Sequence, residues 1–256
     1  MSFPILLGAE WKKLRRSKIV LILWAAALIL WIPSILNAHL NFGMEAEGIS
    51  PEHNFLIQGF MGMAWFMFPA SMVVCTTLIA QTERSGRGIL RMLALPVGAG
   101  KLCLAKYIVL LILAAVQLAL MTGMYYVSAS VASQTQGYDF LLPPLFVLGQ
   151  AGAIFISAVP MTAFFWMLSV CIHTPLFSVG IGLASIVPSV LMINTKIWFV
   201  YPMDYPFYVI TAKYGELAAN LTERNMDLVP WIPIAAGFTG ICLAAAVICF
   251  GRRERK

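Results

Sequence analysis

Residues 81–106 read QTERSGRGILRMLALPVGAGKLCLAK, and five of them are basic: Arg84, Arg87, Arg91, Lys101 and Lys106. Two of the most apolar runs in the chain flank them. Such a charge load has no place in hydrocarbon, so the stretch marks a return to water between two membrane spans. Its sign points to the cytoplasm. It is not a plain loop. Residues 82–95 suit a short helix, with Ile89, Leu90, Met92 and Leu93 able to lie on a membrane or partner surface. Gly86 and Gly88 loosen its start, and Leu95, Pro96, Val97 and Gly98 turn the chain toward the next span.

Composition agrees. Of 256 residues 61% are hydrophobic and 11% charged, and the mean hydropathy is +0.86. Soluble chains run nearer a quarter charged, so the expected fold class is all-α, a polytopic helical membrane protein. The net charge of +6 is not a nucleic-acid signal, because the basic residues border spans instead of forming one patch. The five cysteines fall within or at the ends of spans and none forms a CxxC, so neither a disulfide nor a metal site is expected. No cleavable signal is expected at the charged start.

Hydropathy predicts six spans, at about 19–36, 55–80, 102–127, 143–172, 176–194 and 229–250. The fourth is overlong and contains Pro160, so it reads as a broken helix. Residues 1–18 form a basic amphipathic stretch in which Leu7, Trp11 and Leu14 recur at helical spacing, as in an interfacial helix or a plain topogenic signal. Segments 1–18, 81–106 and 251–256 hold 14 of the 17 basic residues, whereas the other loops hold three basic and eight acidic ones. Both termini are therefore expected in the cytoplasm.

Polar residues within spans have two readings. Gln117 makes a helix-to-helix hydrogen bond or a substrate contact, since an unpaired amide there is costly. Gln150 and Ser157 line a path or serve packing. Small residues recur every four positions at Gly149, Ala153 and Ser157, and again at Ala236, Gly240 and Ala244, as in closely packed helices. Residues 195–228 are aromatic and Pro-rich, then amphipathic through Phe207, Ile210, Tyr214, Leu217 and Leu221. They suggest an external element lying at or dipping into the outer leaflet.

Catalytic chemistry is missing from the pattern. Gly98, Ala99, Gly100 and Lys101 imitate a phosphate loop, but Leu95 and Leu102 occupy the positions of the first glycine and the Ser/Thr. There is no HExxH, and His39, His53 and His173 are scattered. No Asp, Glu, Lys or Arg is expected buried in a span, which counts against an ion-coupled carrier.

The order Glu83, Gly88, Ile89, Leu90, Leu93, Leu95, Pro96, Lys101, Lys106 resembles the cytoplasmic coupling segment of ABC-2-type permeases. The opening Glu10-to-Lys18 stretch and the Tyr201, Pro202, Tyr205, Pro206 pattern look most like the bacterial lantibiotic-immunity permeases. The resemblance covers essentially the whole chain as one transmembrane domain, 1–256, with an interfacial helix (1–18), a coupling segment (81–101) and an external element (195–228). It implies ATPase docking through Glu83, Arg84, Arg87, Ile89, Leu90 and Leu93. On a charge-only reading the segment is a generic positive loop. The resemblance further implies substrate contacts at Trp198, Tyr201, Tyr205 and Phe207. It implies ATP and Mg on a partner ATPase present in two copies, a second permease chain, a multi-pass place in the bacterial cytoplasmic membrane and an amphipathic antimicrobial peptide as substrate. Alternatives are an exporter of lipids, drugs or ions, a membrane enzyme, or a non-transporting receptor or assembly subunit.

Overall fold

The computed structural model describes residues 3–15, 19–85, 98–218 and 228–253. Among these residues it holds helices and no strand. Helix α1 is Phe3–Arg15 and α2 is Ile19–Leu36. A 3-10 segment, Ala38–Glu47, leads to α3 (Pro51–Gly62), which continues through a π turn (Met63–Met67) into α4 (Phe68–Ser85). Next come α5 (Ala99–Gln136), α6 (Pro144–Ser157), α7 (Val159–Cys171), α8 (Pro175–Ala184) and the short α9 (Ser189–Met192). A 3-10 turn (Trp198–Val200), α10 (Tyr205–Leu217) and α11 (Leu228–Arg253) complete it. Five helices are long and apolar enough to cross a membrane, or six if the bent pair α6 and α7 counts as one span.

Two prolines shape the spans. Pro69 has no N–H for the carbonyl four residues back, and its ring crowds that carbonyl. The π turn just before it widens the helix there, with Phe68 N–H donating to Met63 C=O. Pro160 does the same beyond Ala158, where α6 and α7 meet at 43°. The fourth span is thus broken, as its proline implied.

Several boundaries differ from expectation. The second span starts at Pro51, with Ser50 before it in extended conformation, so the loop over 37–54 is shorter than predicted and largely 3-10. Helix α5 runs to Gln136, nine residues past the expected end. Ser128, Ser130 and Ser133 turn their hydroxyls back onto carbonyls four residues earlier, so their polarity does not end the helix. Gly137, at φ 65°, ends it.

At the end of the bundle away from the termini, Trp31, Phe55, Phe60 and Tyr125 form one ring cluster. The Tyr125 hydroxyl donates to Phe140 C=O at 3.0 Å and accepts from Leu142 N–H at 3.1 Å, tying the 138–143 turn to that core. Ser178 and Gly182 of α8 and Ser189 of α9 are buried. Helix α8 packs on α4 so closely that a Cβ at Gly182 would lie 2.8 Å from Val73 Cγ1. In helix α10, which follows the aromatic stretch, Tyr205, Val209, Ile210 and Ala212 are buried, and the helix packs between α3 and α6.

Candidate functional site

Helix α1 buries Leu6 and Glu10 against the bundle, with Leu7 half-buried and Trp11 exposed. Leu6 packs with Leu102 and Ala105 of α5 and Phe250 of α11, which gathers both ends of the chain at one end of the bundle. Beside them the Glu10 carboxylate accepts from Lys106 Nζ at 2.5 Å and from Lys13 Nζ at 2.7 Å. Burial pushes the Glu10 carboxyl up, but the charges and hydrogen bonds of Lys106 and Lys13 more than offset it. The group is held below the ordinary carboxylate range.

Lys106 is only 1% exposed and lies inside α5. This corrects the expectation that no span buries a charge. The lysine is tolerated because Glu10 comes from a different element to meet it. The pair fixes α1 to the helix that leaves the basic stretch. Residues 86–97 of that stretch, with Arg87, Ile89, Leu90 and Leu93, lie outside the described residues. Glu83 and Arg84 belong to the last turn of α4, and their side chains are likewise outside them.

At the opposite end Trp198 stacks on Tyr208, with centroids 3.6 Å apart and planes 6° apart. Tyr205 and Trp231 close on Trp198 at 6.2 and 5.4 Å. The Tyr205 hydroxyl donates to Phe199 C=O at 2.5 Å, and the Tyr201 hydroxyl donates to Ser185 C=O. Phe207, half-buried, faces Trp65 at 6.4 Å. These rings form a packed cluster, and Tyr205 also lines a cavity.

That cavity is an open groove of about 730 Å³ between the α6–α7 break and α11. Ser157, Val159 and Pro160 line one wall, and Trp231, Ala236 and Gly240 the other. None of its lining residues is charged. Ala236, Gly240 and Ala244 were expected to pack tightly. They are exposed, and nothing lies within 4 Å of a Cβ built at Gly240. Gly149 is equally open. Only 11% of the apolar window of α11 is buried, so most of this helix faces outward.

Of the polar span residues, Ser157 lines the groove and turns its hydroxyl back to Ile154 C=O. Gln150 is half-buried on α6 and away from the groove. Gln117 is fully buried, and its Nε2 donates to Ser71 Oγ at 2.7 Å. Ser71 in turn donates to Met67 C=O in the π turn. That places the amide on the α4–α5 seam.

Two participants went unseen in the sequence. Lys106 stood in the basic stretch but past its turn, inside the apolar run of α5, which marks it as needing a partner. Trp231 opens the last span, an ordinary place for an interfacial indole, so nothing singled it out.

No curated protein matches the chain, and no solved structure does. The family described as ABC-2 family transporter protein matches residues 6–211, which takes in α1, the buried ion pair, the α6–α7 break and most of the aromatic cluster. The chain therefore belongs to the ABC-2 transporter family and is the membrane-embedded permease of an ABC transporter, a family role that implies an ATPase partner.

Proposed function

We propose that this permease expels amphipathic peptides from the membrane, as in lantibiotic self-immunity or resistance. They would enter laterally through the groove between α6–α7 and α11. The observation that carries this reading is the groove's shape and lining: about 730 Å³, open along a helix that is barely buried, with no charged side chain. A hydrophilic solute would lose its hydration there without replacement, whereas an apolar peptide face would not. ATP and Mg are bound by the partner ATPase, in two copies, and a second permease chain completes the assembly. Glu83, Arg84, Arg87, Ile89, Leu90 and Leu93 dock the ATPase, with both termini on the same cytoplasmic side.

The groove also favours a second reading. It offers no carboxylate to a cationic peptide, which suits a lipid or an apolar drug equally well. Gly240→Trp and Ala236→Trp separate these cases, because both positions are exposed and a ring there fills the groove without disturbing the core. In complexes of equal subunit content, the fill should abolish peptide-stimulated ATP turnover and leave basal turnover intact. Full peptide stimulation in both variants would refute the groove as its route. Stimulation of the unaltered complex by lipid or drug, with none by a lanthionine peptide, would transfer the proposal to the second reading. Docking is tested separately by Glu83→Lys, Leu90→Asp and Leu93→Asp, which should uncouple turnover from transport while insertion survives.

A further inference from the structure

Cys171 closes α7, and Cys249 lies in the last turns of α11. The two helices run together, with Phe164 and Phe238 rings 6.1 Å apart, and at the end that carries the termini the two sulfurs come within 2.7 Å. No disulfide joins them. The separation exceeds a sulfur–sulfur bond by only about 0.7 Å, so a bond needs small side-chain adjustment and no rearrangement of the helices. Both residues are half-buried, within reach of a small oxidant, whereas Cys75, Cys103 and Cys242 are buried. The charge pattern puts this end in the cytoplasm. Thiols there stay reduced, and the disulfides that do form are mostly transient and redox-sensing.

We infer that Cys171 and Cys249 are a redox modification site. A peroxide-class oxidant converts them into a disulfide that locks α7 to α11 and arrests the transporter. One thiol gives up its proton, and the thiolate attacks the peroxide to become a sulfenic acid; the departing hydroxide takes up that proton and leaves as water. The second thiol displaces that oxygen as another water, so two electrons and two protons leave the pair and one peroxide is consumed. A dithiol reductant reverses the reaction by exchange. The lock is placed to matter mechanically. The groove lies between the same two helices, and its last α11 residue, Leu243, precedes Cys249 by six positions, about 9 Å along a helix. A covalent tie there stops α11 from separating from α7 and so holds the groove at one width. The effect on substrate passage rests on the lateral route proposed above, whereas the bond and the arrest of the α7–α11 pair do not.

The test uses the full permease with its ATPase in lipid nanodiscs, treated with hydrogen peroxide, blocked with N-ethylmaleimide, digested and read by mass spectrometry. A peptide joining residues 171 and 249 should appear, and it should be missing from Cys171→Ser and Cys249→Ser. Basal ATP turnover should be lost on oxidation, recover with dithiothreitol, and persist through oxidation in both serine variants. Absence of the linked peptide overturns the proposal. So does a linked peptide in a complex whose basal turnover is unchanged. Basal turnover needs no substrate in the groove, so failure of the peptide reading would appear elsewhere and leave this outcome legible.

Discussion

Helices α1 and α10 are both 13 residues long, and neither is a candidate span, yet they are fastened to the bundle by opposite means. Helix α1 meets the bundle through a charged cluster, Glu10 with Lys106 and Lys13, beside a small apolar patch around Leu6. Helix α10 is held by many rings, with Tyr208 stacked on Trp198 and Tyr205 against Trp231. A buried charge pair has no partial version: removing one partner strands the other in a medium that cannot solvate it. A ring cluster degrades gradually, because each contact is a share of dispersion and burial. The two ends should therefore fail differently when damaged.

The sharpest break is at Lys106. Lys106→Ala leaves Glu10 buried beside Lys13 alone, and breaking such a pair costs about 3–5 kcal/mol. Helix α1 should lose protection from proteolysis, while the double replacement Glu10→Leu with Lys106→Leu should restore most of it. A double variant as damaged as the single one would show that the charges do more than offset each other. At the ring end, Trp198→Ala should cost about 3 kcal/mol, the lower part of the range for a buried aromatic truncation. Trp198→Phe should recover much of that loss. Thermal unfolding of purified protein reads both, and equal loss from Ala and Phe would deny the graded behaviour argued for the rings.

A contact of neither kind calibrates these two. Gly182 meets Val73 so closely that Gly182→Ala overpacks the α4–α8 seam, at about 1–3 kcal/mol. Val73→Ala in the same chain should relieve most of it. An additive double variant would mean that the two side chains do not share that space.

The difference between the ends also explains what could be read from the sequence. The aromatic element announced itself because Trp198, Phe199, Tyr201, Tyr205, Phe207 and Tyr208 crowd into eleven residues. Its burial did not, since a ring suits a membrane surface and a core equally. The Glu10–Lys106 pair joins residues 96 positions apart, and no local pattern carries that information. Span number and the α6–α7 break were legible because Pro160 and an overlong apolar run are local signals. The groove was not. The same Ala236 and Gly240 spacing serves tight packing or open space, depending on what the rest of the chain places opposite.

The smallest expected effect separates the two ends by pH. Glu10 is held below its ordinary value of 4.5 because Lys106 and Lys13 stabilise the carboxylate more than burial destabilises it. A carboxyl whose folded value is lowered contributes stability that is fully present above the unfolded value. That contribution fades as pH falls through the folded one. Docking of α1 should thus be unchanged from neutrality down to about pH 4.5 and weaken only below it, as protonation abolishes the negative charge facing two ammonium groups. Hydrogen exchange along α1 follows this, because the helix frays as that attachment weakens. Glu10→Gln supplies the decisive comparison: its α1 should exchange faster at neutral pH, yet show no further change through the acid window. An acid transition of the same size in Glu10→Gln would assign the titration to another carboxyl. The Glu10 cluster would then not be what ties α1 to the bundle, and the contrast between a charged attachment and an aromatic one would be wrong.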